Sequence, residues 1–146
     1  MARVSTYLNF PRSTEEAFVF YRSVFGSDFT APGIRRFCDI PAHPDQPTLS
    51  EADMNLVMHV ERPTIGGHVL METDAPESMG FTVTVGNNIY INLEPDSRAE
   101  TNRLFNALSD GGKAEMPLQE MFRDGYFGSL IDRFGVHWMF NCASKS

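Results

Sequence analysis

Cysteine is scarce in this sequence: two residues in 146, Cys38 and Cys142. That is too few for a disulfide framework and fits a reducing compartment. Basic residues are outnumbered, 12 Lys and Arg against 19 Asp and Glu, for a formal net charge of -7. Such a balance opposes nucleic acid, whose phosphates require clustered cations. No run approaches the roughly 20 apolar residues of a membrane span. The N-terminal MARVSTYLNF has one arginine and lacks the apolar stretch of a secretory signal. A soluble cytoplasmic protein with neither nucleic-acid nor membrane partner is the expectation. Also missing are G-x-G-x-x-G, a Walker A sequence, G-x-S-x-G and C-x-x-C. No dinucleotide, nucleoside triphosphate, serine-elbow or dithiol chemistry is therefore signalled, and no cofactor is expected.

What is present suits one globular domain, 1–146, with 42% hydrophobic residues and twelve phenylalanines. The chain then says the same thing twice. STEEAFVFYRSVFG (13–26) carries a Ser13–Glu16 capping box, and Ala17, Phe20, Tyr21 and Val24 recur at helical spacing before Gly26. SRAETNRLFNALSDGG (97–112) repeats the box at Ser97 and Glu100, with Leu104, Phe105 and Leu108 at the same offsets. A short strand precedes each helix: TYLNF (6–10) and IYINLE (89–94). Three strand-like segments follow each. These are GIRRFCDI (33–40), NLVMHVE (55–61) and HVLMETD (68–74) in the first half, the last two joined by RPTIGG. In the second half they are AEMPLQEMF (114–122), YFGSLID (126–132) and VHWMFNC (136–142), with the turn DRFG. The expected class is α+β, two βαβββ modules forming curved mixed sheets with helices on the outer face. Module one spans about 1–76 and module two about 79–146. PAHPDQPTLS (41–50) reads as a loop, with His43 in solvent.

This text resembles the vicinal oxygen chelate superfamily, the glyoxalase and bleomycin-resistance fold, and within it the PhnB-like branch. YLNF followed by EEAFVFYRSVFG, then MHVE, GGHVLM, LFNALSDGGKAEMPLQ and YFGSLIDRFGVHWMFNC carry the likeness from Tyr7 to Cys142. The resemblance implies a concave ligand-binding side to each sheet, a homodimer, and a divalent metal held by His and Glu on the first and last strands. Carried over by position, the metal ligands would fall near Ser5, Glu72, Asn88 and Met139. Of these only Glu72 suits a hard ion, and Met139 is a soft thioether, so the usual metal site is not expected. Branch members are often labelled ubiquinone-related methyltransferases, yet no Gly-rich strand-to-helix turn of the kind that binds a nucleoside cofactor stands in this sequence.

Period-two alternation sorts the strand residues onto faces. Leu8 and Phe10 should face the helix, and Tyr7 and Asn9 the concavity. On the matching strand Ile89, Ile91 and Leu93 should pack, leaving Asn88, Tyr90 and Asn92 inward. On the last strand Val136, Trp138 and Phe140 should pack, with His137, Met139 and Asn141 inward. Glu72 shares a face with His68 and Leu70, and His59 on the adjacent hairpin strand could pair with it. The candidate ligand-binding set is therefore Tyr7, Asn9, His59, Glu72, Asn88, Tyr90, Asn92, His137 and Met139, suited to a small polar or planar molecule. Each histidine also has a bland reading. His137 could be half-exposed on an edge strand, and His59 with Glu72 could be an ordinary cross-strand pair. Three functions follow: a metal-free small-molecule binder, a metal-dependent lyase, isomerase or dioxygenase with a non-standard ligand set, or a dimeric interaction protein with a vestigial concavity.

Overall fold

Tyrosine, leucine, asparagine and phenylalanine alternate through β1 (Thr6–Phe10), and the chain then turns at Pro11 into helix α1 (Thr14–Phe25). The structure, a computed structural model, describes residues 2–41, 44–45, 48–122, 125–143 and 145. His43 lies outside the described residues. The chain divides into two compact units, Met1–Thr84 and Val85–Ser146.

In the first unit, β2 (Arg35–Arg36), the one-turn helix α2 (Glu51–Met54), β3 (Val57–Pro63) and β4 (Val69–Asp74) follow α1. The sheet order is β1-β4-β3-β2, with β1 parallel to β4 and the other pairs antiparallel. In the second unit, β5 (Ile91–Leu93), α3 (Arg98–Ser109), β6 (Lys113–Glu120), β7 (Tyr126–Ile131) and β8 (His137–Cys142) repeat the plan. Their order is β5-β8-β7-β6, again with the first and last strands parallel. The two four-stranded mixed sheets are thus repeated modules of one α+β design. No helix among the described residues is long and apolar enough to cross a membrane.

Each helix lays an apolar stripe on one sheet face. In α1 the buried residues are Thr14, Ala17, Phe18, Tyr21 and Val24, and in α3 they are Thr101, Leu104, Phe105 and Leu108. Phe20, expected in the stripe, is only half-buried, and Phe18 takes the core position instead. Gly26 ends α1 in the left-handed region (φ 73°) that glycine adopts without a Cβ clash. Gly128 on β7 admits the second helix: a Cβ there would stand 3.0 Å from Phe105 Cε2 and 2.9 Å from Leu118 Cδ2.

The two capping boxes come out differently. Ser97 Oγ accepts from Glu100 N at 3.1 Å, while the Glu100 carboxylate turns to Arg103. Ser13 makes no side-chain cap. The first helix is capped from the sheet: Asp74 Oδ1 accepts from Thr14 N at 3.0 Å, and its Oδ2 from Val57 N at 2.8 Å. A buried carboxylate serves the positive helix start as well as a hydroxyl does.

Two strands are shorter than expected. GIRRFCDI pairs only through Arg35 and Arg36, because Asp39 Oδ2 accepts from Arg36 N at 2.8 Å and the chain coils into a 3-10 turn. Ile89 does not pack; it is 74% exposed, because β8 begins at His137 and offers no partner so far along.

Candidate functional site

Both sheets bury one face against their helix and leave the other open. In the first module the buried face carries Leu70, Glu72 and Asp74 of β4, with Val60 and Arg62 of β3. Glu72 therefore points into the core at 0% exposure, and does not reach the concave side. The alternation itself was sound; only the choice of face was inverted. Hairpin registers make the slip visible, because Pro63 pairs with Val69 where β3 meets β4, as Ile131 pairs with His137 where β7 meets β8. The counterpart of Met139 is thus Met71, and that of Glu72 is Phe140. A shift of one residue exchanges every side chain between faces.

Glu72 lies beside the buried Arg62, whose charge it favours, while burial pushes that guanidinium down to about 10. Arg62 also donates to Phe18 O, to Ser27 O, and to Ser27 Oγ at 2.9 Å. This set ties the helix to its sheet.

On the open face of the first module, Tyr7 is 48% exposed and Asn9 lies beside it. The ring of His59 is 6.2 Å from that of Tyr7. Its Nε2 is 3.6 Å from Glu61 Oε2, so His59 pairs within its own strand and not with Glu72. Arg3 Nη2 is 3.7 Å from the same carboxylate, and Ser5 Oγ donates weakly to Met71 Sδ at 3.2 Å.

The second module brings its predicted residues together more tightly. Met116, Ser129, Met139 and Asn92 form one row across β6, β7, β8 and β5. His137 sits two residues before Met139, on an inner strand and not an edge. It is 8% exposed, and its ring meets Tyr90 edge-on, 5.0 Å between centroids. Glu115 of β6 completes the cluster. Its Oε1 accepts from Tyr90 Oη at 2.9 Å and lies 3.6 Å from His137 Nδ1. That bond to a carboxylate raises the Tyr90 hydroxyl above the usual phenol range, so it stays a proton donor. Sequence reasoning passed over Glu115, which looked like any acidic residue on a polar strand. Asn88 is exposed in the loop before β5 and joins neither cluster. Phe127 and Asn141, a registered pair on this face, line a cavity of about 420 Å³ with Met121, Phe122, Gly125 and Ala143.

The metal implied by the resemblance does not fit these positions. The side chains there are a serine hydroxyl, the thioethers of Met71 and Met139, and an exposed amide, all poor partners for a hard divalent ion. Among the described residues no group of three His, Cys, Asp or Glu could hold one.

Paired βαβββ sheets with this strand order define a glyoxalase-like fold. A glyoxalase/bleomycin resistance protein/dioxygenase family enzyme from Burkholderia phytofirmans PsJN shares it, with a TM-score of 0.63 over 95% of this chain and 98% of that one, at 18% identity. The family model described as 3-demethylubiquinone-9 3-methyltransferase matches residues 2–140. The chain therefore belongs to that family, the PhnB-like branch of the vicinal oxygen chelate superfamily. It is 33% identical to protein PA1353 from Pseudomonas aeruginosa, with a TM-score of 0.79 over 97% of this chain and 98% of that one. To the PhnB protein from Bacillus cereus it is 26% identical, with a TM-score of 0.71 over 97% and 100% of the two chains.

Proposed function

We propose that this PhnB-like protein binds a small polar or planar molecule on the open face of its sheets, without the divalent metal usual in the superfamily. The observation that carries the reading is the second module's row of Asn92, Met139 and Ser129 beside Tyr90 and His137. Aromatic, amide and thioether groups on one surface suit an organic ligand, and a thioether at the ligand position disfavours a hard ion. Methyl transfer, named in the family's description, draws no support from the strand-to-helix turns. Residues 11–13 and 94–97 contain no glycine that would let a backbone approach a nucleoside cofactor. Exposed apolar side chains such as Val4, Val19, Phe81 and Phe122 support a homodimer as the working form.

The test is a thermal-shift screen of small phenols, enols and heteroaromatic amides, run with and without added manganese, nickel and zinc. Expected are ligand-dependent rises in Tm that metal does not alter. One equivalent of a divalent ion in protein purified without chelators, together with ligand binding that disappears when it is stripped, would overturn the metal-free reading.

A further inference from the structure

We propose that Glu115, His137 and Tyr90 form a proton-accepting centre on the open face of the second module. Its ligand would be a small molecule whose recognised group is a weakly acidic hydroxyl, a phenol or an enol. The inference rests on the small-molecule reading above and deepens it.

The centre is built around an atom that has nothing to bond. His137 is more than nine-tenths buried, and its Nδ1 is sealed from water without a hydrogen-bond partner. A buried nitrogen left that way is costly. Glu115 Oε1 faces it from 3.6 Å, a few tenths of an ångström beyond hydrogen-bond length. Tyr90 donates its hydroxyl proton to that same oxygen and lays its ring edge against the imidazole. A negative carboxylate beside Nδ1 favours the tautomer that carries its proton there. The lone pair is then on Nε2, which is not among the sealed atoms.

The chemistry of such a centre is one balanced transfer. The ligand's O–H bond breaks as an Nε2–H bond forms, and the electron pair stays on the ligand oxygen. The imidazolium produced is stabilised by Glu115 through Nδ1–H, and the ligand oxyanion remains against the imidazolium. Asn92, Ser129 and Met139 on the same face are uncharged and do not repel that anion. The Met139 thioether and the Tyr90 ring suit the flat apolar body of a phenol or conjugated enol. The first module does not duplicate the device, since its His59 side chain is 31% exposed and meets a glutamate of its own strand.

4-Nitrophenol is the probe, because its absorbance reports its own ionisation. In buffer below the probe's pKa, saturating protein should raise the bound phenolate-to-phenol ratio at least about tenfold over free probe, a shift of one pKa unit. His137→Gln should abolish the rise, Glu115→Gln should cut it about tenfold, and Tyr90→Phe should reduce it less. A probe that binds as neutral phenol, a probe that does not bind, or a His137→Gln variant behaving as wild type would each overturn the proposal. Nitrogen NMR of the ring in the unliganded protein gives a readout needing no ligand. The Nδ1–H tautomer should dominate and should give way to a mixture in Glu115→Gln; an Nε2–H tautomer in the wild type would overturn the centre. If other compounds raise Tm while nitrophenol does not bind, the phenol assignment fails and the small-molecule reading stands. If nothing in the screen binds, the small-molecule reading fails, and the tautomer still decides whether the Glu115–His137 pair exists.

Discussion

The two modules share a backbone plan and differ in what they bury. Hairpin registers align Leu70, Glu72 and Asp74 of the first with Trp138, Phe140 and Cys142 of the second. The first core thus holds two carboxylates and the guanidinium of Arg62, and the second an aromatic stack with Phe105 edge-on to Phe140 at 5.6 Å. Even the polar anchors differ. Asp74 ties a helix start to a strand, whereas Asp132 gathers the β7–β8 turn, accepting from Phe134 N at 2.8 Å, Val136 N at 3.0 Å and Trp138 Nε1 at 2.9 Å. The open faces diverge in the same manner. Each carries a Tyr–His–Glu group, but the first takes its histidine and glutamate from β3 alone and the second draws on β6 and β8. A repeated frame thus dictates which face is dry and leaves the chemistry of that face free.

The largest effect should come from the aromatic core. Phe140→Ala removes a fully buried ring and should cost about 3–5 kcal/mol in urea unfolding. A loss under about 1 kcal/mol would mean that the second module does not rely on that stack. At the matching position of the first module, Glu72→Gln should cost about 3 kcal/mol, because Arg62 is left buried beside a neutral amide. The double change Glu72→Leu with Arg62→Leu should recover most of that loss, since an ion pair replaced by apolar groups is often neutral. If the double variant is no better than Glu72→Gln, the pair is not the unit that matters and the contrast between the cores weakens.

Much of the frame was legible in the sequence, for reasons that the residues explain. TYLNF is β1 to the residue, both helices begin directly after their serines, and they end one residue before Gly26 and two before Gly111, because caps and periodicity are local. Alternation sorted Trp138 from Met139 for the same reason. It could not tell which face of HVLMETD is dry, because a carboxylate that caps a helix is written like one in water. Glu72 was lost on that ambiguity. Glu115 was lost on another: its partners Tyr90 and His137 are 25 and 22 residues away, and only the sheet order brings the three together.

The smallest effect tests the repeat where it looks most faithful. Ser13 and Ser97 occupy the same place in the same S-x-x-E phrase, yet only Ser97 accepts a hydrogen bond from its helix. Losing an N-cap hydroxyl typically costs about 1 kcal/mol, so Ser97→Ala should destabilise by that amount. Ser13→Ala should change stability by no more than about 0.5 kcal/mol, since Asp74 already accepts from Thr14 N and the serine is half-exposed. Paired urea titrations measure both. Equal losses would mean that Ser13 caps in solution and that the division of labour between Asp74 and the serine is wrong. Asp74→Asn then completes the comparison. It keeps the shape but removes the charge and one of the two acceptor oxygens, so it should weaken the first helix start and its tie to Val57, read as faster amide exchange at Thr14 and Val57 with no change at Arg98 and Ala99.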